Sequence, residues 1–163
     1  MKKTNLAILL MLICVSVLVS PVKAEESYCT DHHAHKVKWI KDFGTGKIAS
    51  AGRLQNGIPV IRYNPDLLPD LSPLTRKFAM NRACGNHVLG NNMTKPARVA
   101  EQFSRVDLAD CSVTSRMCYS EGISSRDVQT IQDEIHGFSR EEWLHFPGPV
   151  RFVDIKMCKL SRM

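Results

Sequence analysis

The sequence has no Cys-x-x-Cys pair, no Gly-x-Ser-x-Gly elbow, no internal repeat and no low-complexity linker. Without paired Cys-x-x-Cys there is no basis for a thioredoxin-like redox site or a zinc ribbon. Without the serine elbow there is none for an α/β-hydrolase. Gly44-Thr45-Gly46 is not followed by a helix, so it is not a phosphate loop. Charges are dispersed, with no Lys/Arg run in the body of the protein and no aromatic platform motif, which argues against a nucleic-acid partner. One long apolar stretch occurs, at the extreme N-terminus, and no second one follows it.

That stretch has the form of an export signal. Lys2 and Lys3 precede an apolar run from Leu6 to Val19, and Val22-Lys23-Ala24 places small residues for cleavage before Glu25. Residues 1–24 are therefore expected to be a Sec-type signal peptide, with the periplasm or the exterior as destination and no membrane span after cleavage. The mature protein has 139 residues, which suits one domain. Losing Lys2, Lys3 and Lys23 lowers the net charge from +6 to +3. Cys14 leaves with the signal, and Cys29, Cys84, Cys111, Cys118 and Cys158 remain. In an oxidising compartment they favour disulfides, at most two, over a cysteine nucleophile beside His87 or His136.

Residues 25–36 are polar and read as a loose N-terminal segment, and residues 37–163 as a single α+β domain. Val37 to Ile40, Lys47 to Ala51 and Ile58 to Tyr63 read as strands, the last placed at an edge by Pro59. Asn56-Gly57 marks a tight turn. Ser72-Pro73 opens a helix over Leu74 to Leu89. A second helix is expected from Pro96 to about Tyr119, with Val99, Phe103, Val106, Asp110, Val113 and Met117 on one face. Ser124 and Asp127 open a third, Ser139 and Glu142 cap one further turn, and Pro147-Gly148-Pro149 is expected to open a last helix. Strands first and helices after predict a small antiparallel sheet followed by a helical bundle.

The informative segment is Phe78-Ala-Met-Asn-Arg-Ala-Cys-Gly-Asn-His-Val-Leu-Gly90. It follows Tyr63-Asn-Pro65 and precedes Val106-Asp-Leu-Ala-Asp-Cys111, His145-Phe-Pro-Gly-Pro-Val-Arg151 and Ile155-Lys-Met-Cys158. In order and spacing, over roughly residues 58–160, these pieces resemble a family of small exported zincin-like metallopeptidase domains. The family pattern reads His-Glu-Cys-Gly-His-His-Val-Leu-Gly, then Glu-x-x-Ala-Asp-Cys, then Pro-x-Gly-Pro-x-Arg and Ile-x-x-Cys. Two histidines one helical turn apart hold zinc, the intervening glutamate is the general base, and a carboxylate on the next helix completes the ligand set. In this protein Arg82 falls on the first histidine, Ala83 on the glutamate, Asn86 on the second histidine and Val106 on the third ligand. Arg82 is a fixed cation, Ala83 has no base and Val106 has no lone pair. The resemblance thus implies a zincin-like fold that has given up hydrolysis and holds no cofactor.

Asp110 sits in the apolar face, and its counterpart in the family supports a zinc-binding histidine from behind. With Arg82 in that histidine's place, the simplest expectation is a buried Arg82–Asp110 ion pair, and the alternative is that Asp110 caps or faces solvent at a bend. Cys111 and Cys118 are two turns apart on one helix, about 10 Å by rise, and cannot pair. The helix crossing that the resemblance implies makes Cys84–Cys111 the expected bridge, with the pairing of Cys29, Cys118 and Cys158 open. His87 lies one residue past the ligand position, about 100° round the helix, and is expected to pack or hydrogen-bond.

The leading expectation is a catalytically inactive binding or regulatory protein, its partner a protein or peptide of the cell envelope. A first alternative is an active metallohydrolase with unusual ligands such as His87, Asp107 and Asp110. A second is a metal-binding protein that uses His32, His33 and His35. A third is a structural envelope protein.

Overall fold

A computed structural model describes residues 28–158. The signal peptide and its cleavage site lie outside the described residues. Three strands come first, β1 (Lys38–Lys41), β2 (Ala49–Arg53) and β3 (Pro59–Tyr63). Four helices follow, α1 (Pro73–Val88), α2 (Val99–Glu121), α3 (Ser125–His136) and α4 (Arg140–His145). The α+β order of the sequence reading is therefore present. Among the described residues no helix is long and apolar enough to cross a membrane.

The sheet departs from the expected antiparallel arrangement. Its order is β1-β3-β2, with β1 parallel to β3 and β2 antiparallel to it. β3 is thus central rather than at an edge. Pro59 is its first residue, opposite Arg53, where the missing N–H leaves the rest of the ladder intact. Val60 and Ile61, adjacent and therefore on opposite faces, are both fully buried, as a central strand requires. The β2–β3 turn uses Gly57 at φ +81°, a left-handed position that favours glycine.

Helix ends follow their chemistry. The Ser72 hydroxyl accepts from the Thr75 N–H, with Pro73 in the first turn. Ser124 with Asp127, and Ser139 with Glu142, form complete capping boxes. α2 begins at Val99, after Pro96, and ends at Gly122 with φ +71°. The expected apolar face of α2 is buried only from Val106 onward, whereas Val99 is exposed.

Among the described residues no α-helix follows Pro147-Gly148-Pro149. Residues 150–155 alternate instead, with Val150, Phe152 and Asp154 outward and Val153 and Ile155 buried. That is the period of extended backbone. Gly148 at φ +93° and the proline after it keep the backbone out of the helical region, and a single 3-10 turn forms at Ile155–Met157. The C-terminal segment is therefore a strap across α2 and α3.

Residues 28–36 of the N-terminal segment are also tied down rather than loose. Cys29 and Asp31 are buried, and Val37 N–H donates to the Cys29 carbonyl. Asp31 accepts from the His33 and His35 backbone N–H groups and pairs with Arg53 at 2.8 Å. Burial opposes the Asp31 charge, but the bonds from His35, Arg53 and His33 outweigh it and hold the carboxyl far below the usual carboxylate range.

The disulfides are Cys29–Cys84 and Cys111–Cys158, with Cys118 free. This corrects the expected Cys84–Cys111 bridge. α1 and α2 do cross, but at Gly85, where an added Cβ would lie 3.0 Å from Val113 and 3.5 Å from the Ala109 carbonyl. Cys111 is one residue past Asp110, about 100° round α2, and faces the strap instead of α1. One bridge fastens the N-terminal segment to α1, and the other fastens the strap to α2. Phe78, Ile61, Tyr63, Met117, Ile135 and Phe146 join in one core between sheet and helices.

Non-reducing peptide mapping is expected to recover Cys29 linked to Cys84 and Cys111 linked to Cys158, with alkylation of Cys118 alone. With 55 and 47 residues between partners, each link should contribute about 4 kcal/mol by restricting the unfolded state. A Cys84–Cys111 peptide would refute the arrangement.

Candidate functional site

α1 and α2 cross closely because Gly85 has no side chain at their contact. On one side of the crossing, β2, the two helices and Pro147–Pro149 enclose a cleft of about 300 Å³. Arg82, Ala83, Asn86 and Val106 all line it. The four positions singled out in the sequence thus share one wall. β2 contributes Ala49, Ser50 and Ala51 opposite them, and Lys47 stands just before that strand.

The Arg82 side chain is 3% exposed, and its Nε donates to Asp110 Oδ1 at 2.5 Å. Asp110 also accepts from Arg151, whose Nη2 and Nε lie 2.6 and 3.0 Å from Oδ2. One buried carboxylate therefore binds two guanidinium groups, one from α1 and one from the strap. Burial pushes the Arg151 guanidinium below its ordinary value, and the Asp110 charge counters this. Arg151 is further held by the Pro149 carbonyl at 3.0 Å and lies 5.6 Å from the centre of the Trp143 ring. Thr114 donates its hydroxyl to the Asp110 carbonyl, which steadies the helix behind the carboxylate. Gly148 permits the arrangement, since a Cβ there would lie 2.9 Å from Arg82 Nη2 and 3.2 Å from Arg151 Nη1.

The sequence reading names one partner for Asp110 and misses the second. The signal is available in the Pro-x-Gly-Pro-x-Arg tail, whose arginine has no assigned role there. Lys47 is missed as well. It donates to the Phe146 carbonyl at 3.1 Å on the cleft wall. Burial and then the nearby Arg82 charge push the Lys47 ammonium below its ordinary value.

These residues do not fit a zinc ion. A guanidinium already bonded to Asp110 stands at one ligand position, valine stands at another, and alanine takes the place of the base. Asn86 Nδ2 donates to the Arg82 carbonyl, and its Oδ1 accepts from Asn91. Among the described residues no group of three or more His, Cys, Asp or Glu is placed to hold a metal. His87 does not join Asp107 and Asp110. It is fully buried under the sheet, where Nε2 lies 2.8 Å from the Val60 carbonyl and Nδ1 2.9 Å from Asn92 Nδ2. Because a carbonyl only accepts, the proton sits on Nε2 and Nδ1 accepts from Asn92. Asp107 is exposed and, with Asp110, lines a different cavity beside the strap. His32, His33 and His35 are exposed on the turn that Asp31 organises, and the His32 N–H donates to the His87 carbonyl.

Compared with known proteins, the sequence matches no family model, no curated protein and no solved structure.

Burial lowers the His87 pKa, with the bond to Val60 acting in opposition. The unfolded protein then binds a proton that the folded protein refuses once pH falls below about 6.5. Stability should therefore drop as pH falls through that value. His87→Gln should be less stable at neutral pH and should lose this part of the acid slope, read as unfolding free energy against pH. An unchanged slope in the variant would contradict the assignment.

Proposed function

We propose that the mature protein is an exported, non-hydrolytic binding protein on a degenerate zincin-like scaffold, and that its cleft accepts an extended protein or peptide segment. The observation that carries the reading is the shared wall formed by Arg82, Ala83, Asn86 and Val106. The four positions that the resemblance assigns to metal and base meet in one cleft; Arg82, Ala83 and Val106 can perform neither role, and the Asn86 amide is at best a poor ligand. β2 supports an extended ligand, because among the described residues it pairs only with β3, and it lines the cleft with small side chains. Export is supported by the form of residues 1–24 and by two disulfides, which fit an oxidising compartment. The disulfide pairing itself lends the resemblance no support, since the bridge expected from it does not form.

Elemental analysis of the purified mature protein should find no stoichiometric zinc, and peptidase assays should stay at background with and without added zinc. One tightly held zinc per molecule, lost on Asn86→Ala or Asp107→Ala, would overturn the reading in favour of a metallohydrolase. Zinc or copper lost only on combined replacement of His32, His33 and His35 would favour a metal-binding protein instead.

A further inference from the structure

The charge of the cleft is unbalanced. Lys47 and Arg82 line it, and no aspartate or glutamate does. The nearest carboxylate, Asp110, lies behind the wall and is divided between Arg82 and Arg151. Asp107, the other acid acting on this group, is exposed and acts on Arg151 from the far side. Two guanidinium groups thus share a single buried carboxylate, and the nearby Lys47 ammonium bonds to the Phe146 carbonyl instead. Arg82 uses Nε on Asp110, while its Nη groups have no acceptor among the described residues, and Nη2 faces Gly148 at the cleft rim. Lys47 has a carbonyl for a partner and no anion. Arg82 has Asp110 as its counter-charge, but the half-buried Lys47 has no anion among the described residues, and the cavity in front of the two leaves room for one.

We propose that the cleft recognises a carboxylate on an extended peptide, with Arg82 Nη and Lys47 Nζ as its donors. This rests on the reading of the cleft as a peptide site. The peptide backbone would lie along the outer edge of β2, where residues 49–53 make no backbone hydrogen bond outside the β3 ladder among the described residues. The carboxylate would then enter between β2 and α1 and receive charge-assisted bonds from both cations, sheltered from water by Pro147 and Pro149. Such bonds distinguish an acid from its amide, because the amide leaves Lys47 unneutralised and gives Arg82 Nη a weaker, uncharged acceptor. A peptide C-terminus and an Asp or Glu side group share this chemistry.

The test is a titration of the mature, disulfide-intact protein with four acetylated alanine pentapeptides. One ends in a free carboxylate and one in an amide, and the other two are amidated with a central Glu or a central Gln. A carboxylate peptide is expected to bind about tenfold or more tighter than its amide counterpart, a margin that shrinks as salt rises. Preference in the first pair identifies a C-terminus, and preference in the second identifies an acidic side group. Arg82→Gln should abolish the preference. Lys47→Met, which leaves the Asp110 cluster intact, should reduce it. Equal binding of acid and amide, or a full preference in Lys47→Met, would overturn the carboxylate site and leave the peptide cleft standing. Failure of all four peptides to bind would overturn both.

Discussion

The Asp110 carboxylate joins three segments that are distant in sequence. It lies on α2, takes Arg82 from α1, and takes Arg151 from the strap that follows α4. Each charge is buried, so each depends on the others. A lone buried guanidinium or carboxylate would be costly, while here three charge-assisted hydrogen bonds join the two guanidinium groups to the one carboxylate. The neighbouring features follow from this cluster. Gly148 has no side chain because two guanidinium groups fill the space, and the strap runs extended so that Arg151 can turn inward. Cys111, beside Asp110, covalently closes the same junction through Cys158.

The cluster also sets what the cleft can do. A histidine at position 82 could offer a lone pair to a metal, whereas the arginine offers only donors. With Ala83 and Val106 beside it, the wall has neither base nor ligand set, but it carries positive charge into a partly enclosed space. That charge is what favours the proposed recognition of an anion over activation of water. β2 supplies a backbone edge for an extended ligand, and the cations supply a preference among ligands. The two disulfides hold the N-terminal segment and the strap against the helices that frame the cleft, so the site has little freedom to rearrange.

Signals in the sequence are legible where the chemistry is local. The Ser72-Pro73 start, both capping boxes and the Asn56-Gly57 turn depend on a few adjacent residues, and these fall within a residue or two of their expected places. Features that depend on distant partners are not readable in the same way. Pro59 suggests an edge, but its position at the start of β3 makes it harmless in a central strand. Val150, Val153 and Met157 imitate a helical stripe, and only Ile155 buried beside Val153 reveals an extended period. Asp31 looks like part of a loose polar stretch because its partner, Arg53, lies in a different strand. The Arg82–Asp110 contact is accessible because a buried acid in an apolar face demands a cation. That Asp110 has a second cation requires the path of the strap. Cys84 and Cys111 lie on crossing helices, but pairing depends on which side of each helix a cysteine faces. Spacing alone does not determine that.

The most direct test of the account is a mutant cycle on the cluster, followed by chemical unfolding. Asp110→Asn alone leaves two buried guanidinium groups facing a neutral amide and should cost about 3–5 kcal/mol. With Arg82→Met and Arg151→Met added, the buried charges are gone and most of that loss should be recovered. The account therefore predicts strong non-additivity, a coupling of roughly 2 kcal/mol or more. Free energies that add to within about 0.5 kcal/mol would mean that the three residues act independently, and that the cluster does not hold the helices and the strap together.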